Sequence, residues 1–131
     1  MPIKTYITAL IVFFVIDLVW LGVIASKLYR HYLGALMAEK VNWPAALIFY
    51  GIFISGLVFF VIEPALAKES LRYALGAGAF FGFLTYATYD LTNLATLKGW
   101  PLPITLIDLV WGSFLSASVS GITYWILTKF Q

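Results

Sequence analysis

The chain has 131 residues, of which 63% are apolar and only 11% charged, with no cysteine and a formal net charge of +2. A soluble domain carries about 25% charged and 45–50% apolar residues, and one this small exposes too much of its surface to hide such a surplus. Without cysteine, disulfide scaffolds, iron–sulfur clusters, cysteine-rich zinc sites and thiol nucleophiles are excluded. Eight basic residues dispersed against six acidic ones are too few for a nucleic-acid binder.

What remains is a small integral membrane protein, a single transmembrane domain over residues 1–131. A hydrocarbon core of roughly 30 Å takes about 20 helical residues, and four stretches predict spans at about 5–26, 45–62, 71–97 and 104–127. Asp17 alone interrupts the first. Val23-Ile24-Ala25 would pass as a signal cleavage site, but the apolar run is too long for a signal core and holds an Asp and a Trp. It reads as a mature helix.

Residues 27–40 follow. Leu28, Tyr29, Tyr32, Leu33 and Leu36 fall on one helical face, with Lys27, Arg30, His31 and Glu39 mostly on the other. That pattern predicts an amphipathic helix lying in the interface plane, a connector in preference to a gating element. Lone His31 reads as part of a solvated face.

The second span opens at Trp43-Pro44 and closes at Glu63-Pro64, since Pro suits a first turn and cannot continue a helix. Ser70 is a natural N-cap for the third. The fourth follows Gly99-Trp100-Pro101-Leu102-Pro103. Trp43 and Trp100 read as interface anchors. Nothing alternates with period two, so the expected fold is an all-α polytopic membrane helix bundle of four transmembrane helices and one interfacial helix. Gly78 and Gly82, Gly112 with Ser116 and Ser120, and Gly51 with Ser55 make small-residue stripes that let helices approach closely.

Loop charges do not fix the orientation. Lys4, Lys68, Arg72 and Lys129 fall on one side, Lys27, Arg30, Lys40 and Lys98 on the other. The balance is compatible with an antiparallel homodimer, and the weaker inclination is toward both termini in the cytoplasm.

Chemistry concentrates in the aspartates. All three Glu sit in or beside loops, whereas Asp17, Asp90 and Asp108 sit in or near apolar spans, where an ionisable residue is costly. Because the chain reverses between spans, all three fall in one leaflet half, roughly 6–14 Å from the face bearing Lys98. Ile16-Asp17-Leu18-Val19-Trp20 recurs as Ile107-Asp108-Leu109-Val110-Trp111, each followed by a glycine, Gly22 and Gly112. The three-residue step puts Trp20 and Trp111 on the helical face of their Asp. Tyr86, Tyr89 and Asn93 surround Asp90. If these faces meet, they form an aromatic-walled acidic pocket open toward one side.

Structural roles compete with that pocket. Thr105 and Asp108 have capping-box spacing, and Asp90 could cap a short surface helix over 91–98. Asp17 is too far from both helix ends for such a role, so it must be neutral, hydrogen-bonded or paired, for instance clasped to Tyr86, Asn93 or Ser116. Three carboxylates could hold Mg²⁺ through oxygen ligands, but their spacing matches no metal motif. There is no nucleophile–base pair, and no cofactor is indicated.

The string Tyr86-Ala87-Thr88-Tyr89-Asp90-Leu91-Thr92-Asn93-Leu94-Ala95-Thr96-Leu97-Lys98-Gly99-Trp100-Pro101, with Asp108-Leu109-Val110-Trp111-Gly112, resembles the signature of a family of small bacterial inner-membrane proteins described as a domain of unknown function. Asp17-Leu18-Val19-Trp20-Leu21-Gly22 and Pro64-Ala65-Leu66 fit as well. The resemblance covers nearly the whole chain and implies a bacterial four-helix membrane protein with Asp17, Trp20, Tyr89, Asp90, Asn93, Trp100, Asp108 and Trp111 as signature positions. It implies no activity.

Three functions fit these readings. The first is binding, with or without modification, of a lipid-like or small amphiphilic ligand by Asp17, Trp20, Tyr86, Tyr89, Asp90, Asn93, Asp108 and Trp111. The second is a proton-coupled transporter working as a dimer around Asp17, similar in plan to the small multidrug transporters. The third is a structural subunit packed against another membrane protein. Membrane lipids are the expected partners, and no nucleic acid.

Overall fold

The structure, a computed structural model, describes residues 2–34 and 42–130. Among these residues every regular element is helical: α1 (Ile3–Val19), a π-helical turn (Trp20–Ala25), α2 (Ser26–Leu33), α3 (Trp43–Leu57), a second π-helical turn (Val58–Ile62), α4 (Glu63–Lys68), α5 (Leu71–Thr96) and α6 (Leu102–Lys129).

Two expected boundaries move. The first span and the amphipathic segment form one unbroken helix of 31 residues, Ile3–Leu33. Trp20 and Ser26 both keep right-handed helical dihedrals, so the change from apolar to amphipathic pattern marks a change of surroundings and not a break in the helix. The part of the expected interfacial helix at residues 35–40 lies outside the described residues.

The second helix does not close at Glu63-Pro64 but runs on to Lys68, 26 residues from Trp43. The Glu63 N–H bonds the Val58 carbonyl across the wider π turn. Pro64 then falls in the first turn of α4, where its missing N–H costs least. The helix stops at Glu69, whose φ of 52° is left-handed. Ser70 caps α5 as expected, its Oγ accepting the Tyr73 N–H at 3.0 Å.

The count of four spans also needs correction. Three helices, Ile3–Leu33, Trp43–Lys68 and Leu102–Lys129, are long and apolar enough to cross a membrane. α5 is as long, at 26 residues. Its second half, however, carries Thr85, Tyr86, Thr88, Tyr89, Asp90, Thr92 and Asn93, and is too polar to qualify.

Neighbouring helices run in opposite directions. The Tyr6 hydroxyl donates to the Gly51 carbonyl, 3.3 Å away, and Phe13 packs on Tyr50 and Phe53. Phe53 meets Phe81, and the Tyr73 hydroxyl reaches the Phe60 carbonyl at 3.4 Å. The α5–α6 pair is the most intimate. A Cβ on Gly78 would lie 2.8 Å from the Ser116 carbonyl oxygen, and one on Gly82 would collide with the Gly112 backbone. Only glycine permits this approach, which gains dispersion contacts that lipid does not supply.

The bundle is apolar outside and mixed inside. Ile3, Ile7, Ile11, Val15 and Leu18 form an exposed ridge on α1, and Leu102, Leu106, Val110 and Phe114 one on α6. Asp17, Asp90, Thr105, Asp108, Ser116, Ser120 and Thr123 are buried beside a core of Phe13, Phe53, Ile54, Leu57, Leu115 and Val119. Water would reverse this distribution; a hydrocarbon solvent permits it.

Candidate functional site

The two copies of the Ile-Asp-Leu-Val-Trp motif meet. Trp20 and Trp111 stack with ring centroids 4.3 Å apart and planes 11° from parallel. Since α1 and α6 run in opposite directions, each Asp, three residues before its Trp, lies on the opposite side of the ring stack from the other. By helical rise their Cα levels differ by about 9 Å along the bundle. Asp17 faces inward from the stack, Asp108 toward the end that carries the α5–α6 loop.

On the Asp108 side, the Tyr29 hydroxyl donates a hydrogen bond to Asp108 Oδ1. The Asp90 carboxyl is a neighbour of Asp108 across the α5–α6 contact. Asp90 is fully buried, and neither of its oxygens meets a donor among the described residues. Two ionised carboxylates so placed repel each other, whereas one proton held between them supplies the missing donor. A cavity of about 430 Å³ opens beside Asp108, lined also by Phe49, Thr85, Tyr86 and Tyr89.

On the Asp17 side a second cavity, of about 220 Å³, is lined by Asp17, Trp20, Tyr29, Tyr50, Tyr86 and Trp111 among others. Phe49 and Tyr86 line both cavities. The Tyr86 ring rests on Gly112, where any side chain would displace it. Gly22, one residue further from its Trp than Gly112 is, has open space around it. The motifs thus share their Asp–Trp step but not the work of their glycines.

The structure brings together Asp17, Trp20, Tyr86, Tyr89, Asp108 and Trp111 as cavity walls, with Asp90 buried behind Asp108. Asn93 lines neither cavity. Several alternative roles fall away. α5 passes through Asp90 without a break, so Asp90 caps no surface helix. Thr105 does not join Asp108 in a capping box; its Oγ1 accepts the Trp100 indole N–H at 3.1 Å. Trp100 is itself buried, edge-on to Tyr89 with ring centroids 5.7 Å apart. The Ser116 hydroxyl has no partner among the described residues, so it does not clasp Asp17. Among the described residues no group of three metal-ligating side chains converges.

Sequence reasoning passed over Tyr29, Phe49, Tyr50 and Thr85 as site residues. Tyr29 is the instructive one. Twelve residues of ideal α-helix would turn it about 120° away from Asp17. The wider π turn between them needs more residues per revolution and lets Tyr29 come round to the Asp face, and its side chain leans back toward the helix N-terminus and Asp108. A signal for the π turn would have found it, and periodicity carries none.

A bundle that is apolar outside and acidic inside, with helices of membrane-crossing length, defines a helical integral membrane protein. The chain belongs to the family of predicted membrane proteins designated DUF2177, which it matches over residues 2–125. No curated protein and no solved structure matches it.

Proposed function

We propose that the protein is a multi-pass component of the bacterial inner membrane that binds a lipid-like or small amphiphilic ligand between its aromatic walls. The observation that carries this reading is the cavity of about 430 Å³ with the Asp108 carboxyl in a lining otherwise formed by Phe49, Thr85, Tyr86 and Tyr89. Ligand sites are typically concave, mostly apolar and fitted with a few polar groups that fix orientation. The volume suits a headgroup and the first part of an alkyl chain, with the remainder in the bilayer.

Native mass spectrometry of protein extracted gently from its own membrane tests this in wild type, Asp17→Asn and Asp108→Asn. A defined adduct retained by the wild type and lost in Asp108→Asn is expected. Bare protein in all three, with the variants merely less stable, would leave the carboxyls a packing role and turn the search to protein partners.

Transport is the second reading, and the inverted pair of motifs favours it: two carboxyl sites lie on either side of one Trp stack, with Tyr86 shared between them. Proteoliposomes carrying wild type and Asp17→Asn separate the two readings. Substrate-driven proton flux in the wild type alone supports transport, and flux that survives the substitution excludes Asp17 as its carrier.

A further inference from the structure

Charge is sorted within this bundle. Every Lys and Arg among the described residues is exposed, whereas Asp17, Asp90 and Asp108 are all buried. Among the described residues no lysine, arginine or histidine lines either cavity. Lys27, Arg30 and His31, the basic groups on the helix that delivers Tyr29, are themselves exposed.

The acidic cluster is short of donors. Tyr29 supplies one hydrogen bond to Asp108. Among the described residues Asp90 is fully buried, meets no donor and lines neither cavity. A carboxylate buried among aromatic rings either takes up a proton or pairs with a positive charge. Burying a charge without a partner is among the costliest arrangements a protein can hold. Around Asp108 stand the rings of Phe49, Tyr86 and Tyr89, and beyond the Trp stack Asp17 sits among Trp20, Tyr50 and Trp111. Aromatic faces carry negative potential that attracts cations, the more so when water is excluded. A carboxyl inside a cage of rings is complementary to an ammonium group and repels a phosphate or sulfate.

We infer that the occupant of this site is a cationic amphiphile, its ammonium headgroup held by Asp108 among Phe49, Tyr86 and Tyr89 and its alkyl chain extending into the bilayer. The inference rests on the amphiphile-binding reading and adds the charge of the ligand. It also fits cavity linings that, among the described residues, hold no basic side chain: the ligand brings the positive charge.

The test uses three probes of one chain length, dodecylammonium, dodecyl sulfate and dodecanol. Each is titrated below its micellar concentration into the full-length protein in a neutral sugar detergent and read as a 1:1 adduct by native mass spectrometry. Wild type should bind dodecylammonium at least about tenfold more tightly than the other two. Asp108→Asn should lose that preference, and Glu69→Gln, which removes one acidic charge from an exposed loop, should keep it. Equal binding of all three probes would overturn the cationic class and leave amphiphile binding standing. A dodecylammonium adduct that survives both Asp108→Asn and Asp17→Asn would place the cation elsewhere and overturn the inference. Binding of none would remove both readings together. The comparison of probes needs only the wild type, so it stands even if a variant fails to fold.

Discussion

Trp20 lies flat on Trp111, 4.3 Å between ring centres, and this contact joins the two copies of the Asp-x-x-Trp step across antiparallel helices. The first prediction concerns the pair. Aromatic stacking adds about 0.5–1.5 kcal/mol beyond the area it buries. In a double-mutant cycle of Trp20→Leu and Trp111→Leu, read by unfolding in detergent, the coupling should fall in that range. Additive losses would mean that the rings merely fill space.

Tyr29 is the second. Its hydroxyl is the donor to Asp108, and it sits on α2, beyond the π turn. Tyr29→Phe keeps the ring and removes the donor. Polar contacts between membrane helices average about 0.6 kcal/mol and reach about 1.7, so a loss of about 1 kcal/mol is expected. Adduct retention should fall as well, because Asp108 would lose the bond that orients it. A variant with unchanged stability and unchanged retention would remove Tyr29 from the site.

How much of this was legible in the sequence follows from what each signal measures. Hydropathy and helix length gave the helices closely, because the solvent selects them residue by residue. The cost of burying carboxylates pointed to Asp17, Asp90 and Asp108, and the three-residue spacing placed each Trp on the side of its Asp. The two misplaced boundaries have one origin. Pro64 and the amphipathic pattern after Lys27 were read as boundaries, yet the π turns at Val58–Ile62 and Trp20–Ala25 carry the backbone through both. A π turn depends on how neighbouring helices pack and leaves no mark on a period of 3.6. The same blindness hid Tyr29. The burial of Trp100 left no sign for a different reason: its partners Tyr89 and Thr105 come from two helices that meet only when the loop folds, with Gly99 at a φ of 76°.

The third prediction distinguishes glycines on one helix. At Gly82 a Cβ would collide with the Gly112 backbone, whereas Gly76 has nothing within 4 Å. Gly82→Ala should therefore push α5 from α6 and cost about 1–3 kcal/mol, as overpacking does. Gly76→Ala should be neutral or stabilise by up to about 1 kcal/mol through helix propensity. Thermal unfolding of the two variants in the same detergent decides it. Because Tyr86 rests on Gly112 against this contact, Gly82→Ala should also reduce adduct retention, and Gly76→Ala should not.

The fourth prediction concerns Asp90 itself. Its two oxygens are buried without a donor among the described residues, beside Asp108. If one proton is held between the two carboxyls, a group of the same shape that carries its own N–H should replace the protonated partner. Asp90→Asn supplies that donor, so its stability should stay within about 1 kcal/mol of wild type or exceed it. Asp90→Ala removes the partner altogether and leaves Asp108 with Tyr29 alone, at a cost of about 1–3 kcal/mol for the group left unsatisfied. The order wild type ≈ Asp90→Asn > Asp90→Ala in unfolding midpoint is the expected result. If Asn destabilises as much as Ala, Asp90 works as an ionised carboxylate toward some other group, and the paired-carboxyl account of the site fails.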